Sequence, residues 1–317
     1  MGKELSLVIP VYNEEESLPE LCKWLERVIT ASGLSTEALF VDDGSTDCSW
    51  PIIRELHEKH DFVKGIRLQG NQGKSFALQA GFDQAEGDVV ITLDADMQDS
   101  PDEIPALYRM VREDQWDLVS GWKKKRHDPL EKRLPSRFFN GVTRWVSGIK
   151  LHDFNCGLKA YRKEVVKSIR LYGEMHRYIP LLAKWNGFTR IGEKVVEHRA
   201  RQFGKTKFGF ERYLTGFLDL LSVIFVTRFK KRPMHFFGGL GSLAMFVGLS
   251  ITIYVVGDKV YRINQQLPVR DVVDQPLFFL ALVALIIGVQ LFLAGFIAEL
   301  ILRVMSGKKE QLAEKLD

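Results

Sequence analysis

Apolar and polar positions alternate in a repeating cycle along the first third of the chain. Leu5, Leu7, Val8, Ile9 and Val11 form a compact apolar run that ends in Asn13-Glu14-Glu15-Glu16, after which Leu18, Leu21, Leu25, Val28 and Ile29 recur at helical spacing. The pattern predicts a buried strand followed by an amphipathic helix, with Asn13 as N-cap and the glutamates in the first turn. A second strand is predicted over residues 38–41, ending in Asp42-Asp43-Gly44-Ser45-Thr46-Asp47. Strand, helix and strand follow over 65–68, 73–85 and 88–93. Alternation of this kind builds a parallel α/β sheet, and ligands of such sheets gather at the carboxyl ends of the strands. Both acidic runs lie at such ends, as does a third, Asp94-Ala95-Asp96-Met97-Gln98.

The pattern changes after residue 232. No Asp, Glu, Lys or Arg occurs between residues 234 and 256, and Glu299 is the only one between 277 and 302. At roughly 1.5 Å per helical residue each segment outreaches a hydrocarbon core of about 30 Å, so two transmembrane helices are predicted. Arg228, Lys230, Lys231 and Arg232 precede the first, and Arg303, Lys308 and Lys309 follow the second. The loop between them, 257–275, balances Lys259, Arg262 and Arg270 against Asp258, Asp271 and Asp274. The positive-inside rule then makes a hairpin with both ends in the cytosol. Residues 208–229 mix Phe210, Tyr213, Leu214 and Phe217 with Glu211, Arg212 and Asp219, which suits helices lying in the bilayer interface. An amphipathic helix closing the α/β core is the alternative. The first strand starts close to Met1, so no secretory signal is expected and the α/β part is expected in the cytosol.

Composition narrows the chemistry. A chain of 317 residues holds one large α/β domain and a further element, and its net charge of +4 is mild. Cys22, Cys48 and Cys156 have no Cys-x-x-Cys spacing and read as reduced thiols. The turn after the first strand carries carboxylates where a dinucleotide-binding turn needs Gly-x-Gly-x-x-Gly, which excludes that reading. The Asp-x-Asp-x-Gln run offers oxygen ligands to Mg²⁺ or Mn²⁺, cations that share their coordination with substrate phosphates. Between 121 and 150 the chain is strongly basic, with Lys123, Lys124, Lys125, Arg126, Lys132, Arg133, Arg137, Arg144 and Lys150 against Asp128 and Glu131. Such density suits a phosphate monoester and anionic headgroups. It lacks the interleaved aromatics of single-strand binders, so no nucleic acid partner is expected.

Five motifs together resemble the family 2 glycosyltransferases of GT-A fold: Ile9-Pro10-Val11-Tyr12-Asn13-Glu14, the run from Val41 to Asp47, Asn71-Gln72-Gly73-Lys74, Asp94-Ala95-Asp96-Met97-Gln98 and Asp153-Phe154-Asn155-Cys156-Gly157. The resemblance covers residues 4–210. Within the family the chain is similar to the polyprenyl-phosphate glycosyltransferases, the group of dolichyl-phosphate mannose synthase and bacterial undecaprenyl-phosphate glucosyltransferases. The fold implied is a GT-A nucleotide-sugar-binding, Rossmann-like α/β domain over 1–207, interfacial helices over 208–232, a transmembrane hairpin over 233–304 and a cytosolic tail over 305–317.

Residue by residue, the resemblance implies a Mg²⁺ or Mn²⁺ site at Asp94, Asp96 and Gln98, and a nucleotide pocket at Pro10, Tyr12, Glu14, Asp42, Asp94 and Lys74. Lys123, Arg133, Ser136 and Arg137 are implied as contacts of the acceptor phosphate, and Arg201 with Lys205 and Lys207 as the loop over the donor diphosphate. Asp96, Arg201, Arg133 and Asp153 carry catalysis on this reading, Asp153 more as a positioning group than as a base. Two departures stand out: Lys123 replaces an arginine, and Gly157 stands where some bacterial relatives have an aspartate proposed as base. The activity implied is metal-dependent, inverting transfer of a single hexose from a nucleotide diphosphate sugar, UDP-glucose first, to polyprenyl (undecaprenyl) phosphate at the cytosolic face of the inner (plasma) membrane. GDP-mannose is the alternative donor, and a non-catalytic nucleotide-sugar-binding membrane protein the alternative function. Processive synthases add Gln-x-x-Arg-Trp; Arg144-Trp145 here has Gly141 in place of the glutamine, so single transfer is expected. A homo-oligomer is expected from the relatives alone.

Overall fold

A computed structural model describes residues 2–124, 140–145, 147–199 and 233–306. They fall into two compact units, one within residues 1–224 and one within 225–317.

In the first unit the chain runs β1 (Leu5–Val11), α1 (Leu18–Ser32), β2 (Thr36–Asp42), α2 (Ser49–Lys59), β3 (Val63–Arg67), α3 (Lys74–Gln84), β4 (Val89–Thr92), α4 (Ile104–Arg112), β5 (Leu118–Trp122), β6 (Lys159–Arg162), α5 (Lys163–Ser168), α6 (Ile179–Trp185) and β7 (Ile191–Val195). These strands make one sheet in the order β3-β2-β1-β4-β6-β5-β7. Alternation along β1 sorts its side chains: Leu5, Leu7, Ile9 and Val11 pack with Leu18, Leu21 and Leu25 of α1 and Leu107 of α4, whereas Val8 joins Leu39 and Val41 against Ala77, Leu78 and Phe82 of α3. Helices therefore cover both faces, each fully buried aliphatic side chain contributing about 1.5–3 kcal/mol.

The sheet is mixed, not wholly parallel as the alternation predicts. β6 lies antiparallel to both β4 and β5. The cause is topological: β5 ends and β6 begins at the same end of the sheet, so the two strands can be joined without the crossover that a parallel pair needs. Residues 153–158 are thereby carried to the end of β4.

The predicted start of α1 is also displaced. Pro19 lacks a backbone N–H and fits only the first turn, so the helix begins at Leu18 with Ser17 as N-cap. Asn13 instead adopts a left-handed conformation, φ 52°, and its Oδ1 accepts the Thr46 N–H at 2.8 Å. Glu15 leaves the helix too, its Oε2 accepting the Cys48 N–H at 2.8 Å.

The second unit contains α7 (Pro233–Asn264) and α8 (Pro276–Ser306), both long and apolar enough to cross a membrane. Helix α7 continues past the predicted end at 256, where the Asp258–Arg262 pair at 2.8 Å supports its last turns. The connecting loop shrinks accordingly to 265–275. Small residues at seven-residue intervals, Gly241 and Gly248 on α7 and Ala281, Gly288 and Gly295 on α8, let the backbones meet. A Cβ on Gly241 would lie 2.6 Å from the Gly288 carbonyl oxygen, and one on Gly288 would lie 2.9 Å from that of Gly241. Small residues at such a seam are how helices associate where no water drives them together. Leu243, Phe246, Ile253, Phe279 and Ile297 point outward and exposed, as lipid-facing residues do.

Candidate active site

Three loops meet at the carboxyl ends of β1, β2 and β4. The first two are stitched to each other by side chains: Ser45 Oγ accepts the Asn13 N–H and Ser49 Oγ accepts the Glu14 N–H, both at 2.9 Å. This holds Pro10, on β1 opposite Val41, and the half-buried Tyr12 and Glu14 beside Asp42. Asp42 is fully buried; its Oδ1 accepts the Ser45 N–H at 3.0 Å. Its Oδ2 faces Arg67 Nε at 3.4 Å and accepts no hydrogen bond. A buried carboxylate oxygen with an ion-pair partner but no hydrogen bond retains a lone pair for a ligand donor. Asp43, by contrast, is structural: its two oxygens accept the N–H groups of Gln72 and Gly73 at 2.8 and 2.9 Å. Gly44, at φ 69°, lies so close to Gly70 that a Cβ would meet its carbonyl carbon at 2.5 Å. The two turns are locked together, and Lys74 is fixed at the first position of α3.

The third loop carries the acidic motif. Met97 is held at φ 58°, the Gln98 N–H donates to Asp96 Oδ1 at 3.2 Å, and the Gln98 carbonyl accepts the Arg199 N–H at 3.0 Å. Asp94 accepts from Lys74 Nζ at 2.5 Å. Gly157 closes its other side, since a Cβ there would sit 2.4 Å from Asp94 Oδ2. Burial works to raise the Asp94 pKa, but the Lys74 ammonium, reinforced by Lys123 and Lys159, outweighs it and holds the carboxyl at about 2. The Gly157 departure thus has a steric reason: with Asp94 seated here, that position has no room for a side chain.

Behind the motif lies a buried pair, Lys123 Nζ and Asp99 Oδ1, 2.6 Å apart. Burial opposes the charge of Lys123, yet the Asp99 carboxylate keeps its pKa above the ordinary value. Lys123, expected on the acceptor phosphate, is turned inward to Asp99. Lys159 is buried as well and donates to the Cys156 carbonyl, burial pushing its pKa down and that of the Cys156 thiol up to about 12. His176 Nδ1 pairs with Ser75 Oγ at 3.1 Å, and burial holds its pKa well below 6.5. Lys74, Asp94, Asn155, Gly157, Lys159 and His176 enclose a small cavity.

Asp153 is buried; its Oδ1 accepts the Asn155 N–H at 3.0 Å and its carbonyl accepts from Ser120 Oγ at 3.2 Å. The expected contacts Arg133, Ser136, Arg137, Arg201, Lys205 and Lys207 lie outside the described residues, as do 208–232 and the end of the tail. Sequence reasoning missed Asp99, Lys159 and His176. Asp99 adjoins Gln98 and could have been read with the motif; nothing in the sequence marks His176, which arrives on a short turn at Met175–Tyr178.

The oxygens of Asp94, Asp96 and Gln98 are hard donors fit for Mg²⁺ or Mn²⁺. No group of three His, Cys, Asp or Glu side chains assembles a complete cage among the described residues.

The family description "Glycosyl transferase family 2" matches residues 6–170. Dodecaprenyl-phosphate galacturonate synthase of Rhizobium johnstonii is 38% identical over 95% of this chain and 88% of its own. Undecaprenyl-phosphate 4-deoxy-4-formamido-L-arabinose transferase of Shewanella sediminis is 37% identical over 78% of this chain and 75% of its own. Among solved structures, glucosyl-3-phosphoglycerate synthase of Mycobacterium tuberculosis, in complex with uridine diphosphate, superposes with a TM-score of 0.56 at 19% identity, over 71% of this chain and 80% of that one. The first unit accordingly has the GT-A fold.

Proposed function

The chain belongs to glycosyl transferase family 2, and on that premise we propose that it moves one sugar from a nucleotide diphosphate sugar to the phosphate of a polyprenyl phosphate, with inversion, at the cytosolic face of the inner membrane. One observation carries the reading. The 38% identity to a dodecaprenyl-phosphate sugar synthase extends over 95% of the chain, through the two apolar helices as well as the sheet. Two helices long and apolar enough to cross a membrane suit an enzyme with a lipid acceptor.

In this reading Asp42 Oδ2 accepts from the base or ribose, with Pro10, Tyr12 and Glu14 around it. Asp94, Asp96 and Gln98 hold Mg²⁺ or Mn²⁺, which when bound neutralises charge growing on the departing nucleoside diphosphate. Arg201, Lys205 and Lys207 assist at the diphosphate, while Arg133, Ser136 and Arg137 hold the acceptor phosphate. An oxygen of that phosphate attacks C1 of the sugar; the bond from C1 to the diphosphate breaks, and its electron pair leaves with the diphosphate. A phosphate monoester has its second pKa near about 6, so at neutral pH the nucleophile is already mostly a dianion. No proton has to be removed, and Asp153 serves to position the 153–157 segment.

The sugar is a finer matter. UDP-glucose is favoured by the sequence resemblance, while the relatives are named for galacturonate and for 4-deoxy-4-formamido-L-arabinose. Purified full-length protein, undecaprenyl phosphate and Mg²⁺ or Mn²⁺ should be supplied in turn with UDP-glucose, UDP-galacturonate, other UDP-sugars and GDP-mannose. Mass spectrometry of the lipid fraction should find one sugar added from one donor class. Nucleotide binding without any lipid-linked product from the whole panel would favour the non-catalytic alternative.

A further inference from the structure

We propose that Lys74 is the resident cation of Asp94, yielding that carboxylate to the divalent metal only when a nucleoside diphosphate arrives, so that metal and nucleotide enter as a coupled pair. The identities of metal and diphosphate rest on the function proposed above; the role of Lys74 goes beyond it.

The geometry supplies each step. Lys74 Nζ lies 2.5 Å from Asp94 Oδ1, where a metal bound to that oxygen would put its own charge. Both side chains are partly open to solvent, 33% and 27%, so the pair can be reached and parted. Asp94 has little room to withdraw on its other side, where Gly157 stands so near that even a Cβ there would meet Oδ2 at 2.4 Å. Nor can the backbone of Lys74 retreat: Asp43 clamps the preceding turn through the N–H groups of Gln72 and Gly73. Only the flexible stem of Lys74 is left to move.

Two cations cannot share one carboxylate oxygen at contact distance without strong repulsion. Metal entering alone must therefore expel the ammonium, which has no second carboxylate partner among the described residues and would face the buried Lys159 nearby. A diphosphate changes the balance. It brings negative oxygens that ligate the metal, and it offers Lys74 a new partner beside the N-terminus of the 11-residue helix α3. One ion pair, Lys74 with Asp94, is exchanged for metal with Asp94 and Lys74 with phosphate. By linkage the tightening is reciprocal.

The test is a Mn²⁺ titration of the full-length protein, followed by electron paramagnetic resonance of the free ion, with and without UDP or GDP. Wild type should bind Mn²⁺ weakly alone and about 10-fold or more tightly with one of the two nucleotides, within the usual range of coupling. Lys74→Met should bind Mn²⁺ alone about 10-fold more tightly than wild type and lose most of the nucleotide effect, whereas Lys74→Arg should keep both wild-type properties. Lys74→Gln serves equally if the methionine variant is unstable. Metal affinity in the folded neutral variants that equals or falls below that of wild type would overturn the proposal, as would a wild type in which neither nucleotide tightens Mn²⁺. A Mn²⁺ gain in Lys74→Met, with nucleotide coupling intact in wild type but no lipid product from any donor, would leave this proposal standing and remove the transfer reading.

Discussion

Strand β2 carries a buried carboxylate near each end, and their surroundings differ. At the amino end Glu37 Oε1 accepts from Ser6 Oγ at 2.5 Å and from the Glu86 N–H at 2.8 Å, while its Oε2 accepts from Lys64 Nζ at 2.6 Å. At the carboxyl end Asp42 has one oxygen bonded and the other without a hydrogen bond. A closed network is what stability requires of a buried charge. An open one is tolerated only where something else repays the cost, and in α/β sheets that place is the carboxyl end. The amino end of this sheet holds the fold; the opposite end leaves Asp42 Oδ2, which faces only the Arg67 guanidinium, without a hydrogen bond.

The sharpest way to break that contrast is at the acidic motif. Asp96→Ala removes an oxygen donor without opening a cavity in the core, so kcat should fall about 10³-fold while the thermal midpoint stays put. Turnover close to wild type, or full activity in excess EDTA, would remove the metal from the site. Gly157→Ala should come next, at about 10²-fold, because its Cβ would meet Asp94 Oδ2 at 2.4 Å and push the carboxylate out of line. Undiminished activity in that variant would mean that the seat of Asp94 is not needed.

The amino end should answer in stability and not in turnover. Glu37→Gln keeps an acceptor for Ser6 and Glu86 but loses the charge facing Lys64, a change worth about 2 kcal/mol in chemical unfolding, with kcat/KM unaltered. Burial tends to raise the Glu37 pKa, but hydrogen bonds from Lys64, Ser6 and the Glu86 amide hold it below 4.5. A depressed carboxyl pKa stabilises the fold fully above the unfolded value of 4.5, and the contribution is lost as pH falls through the lower folded value. Acid unfolding of wild type should therefore show a steeper loss below about pH 4.5 than that of Glu37→Gln. Equal acid limbs would show that the network contributes nothing.

Much of this architecture is legible in the sequence, and the exceptions share a cause. β1 through β4 announce themselves by apolar runs with turn residues between them, and the hairpin by long uncharged segments; both are local signals. The direction of β6 is not local. A four-residue strand reads alike in either sense, and only its pairing with Thr92 through Val89 decides that the 153–157 segment returns to Asp94. The pairing of Lys123 is hidden for the same reason: in a basic run it looks like a solvated cation, and its partner Asp99 is distant in sequence. Asn13 shows the converse, a residue with the right chemistry for a helix cap that is claimed by Thr46 across the neighbouring loop. Partners far along the chain override local preference wherever two loops compete for one side chain.

The smallest effect is expected at Asp153, and it bears on how protons are handled at the open end of the sheet. Its Oδ1 is occupied by the Asn155 N–H at 3.0 Å, an arrangement that asparagine can reproduce with its carbonyl oxygen. If the acceptor phosphate attacks as a dianion, a base has no proton to take and none of the usual 10²- to 10⁴-fold gain of general-base catalysis, roughly stated, is at stake. Asp153→Asn should then cost less than about 10-fold in kcat. The wild-type rate should rise with the ionisation of the acceptor near about pH 6 and stay level through pH 8. The variant should follow the same profile. A loss of about 10³-fold, with fold and both substrate affinities kept and the rise near pH 6 abolished, would instead make the Asp153 carboxylate the base. The segment that β6 returns to Asp94 would then carry chemistry and not only position.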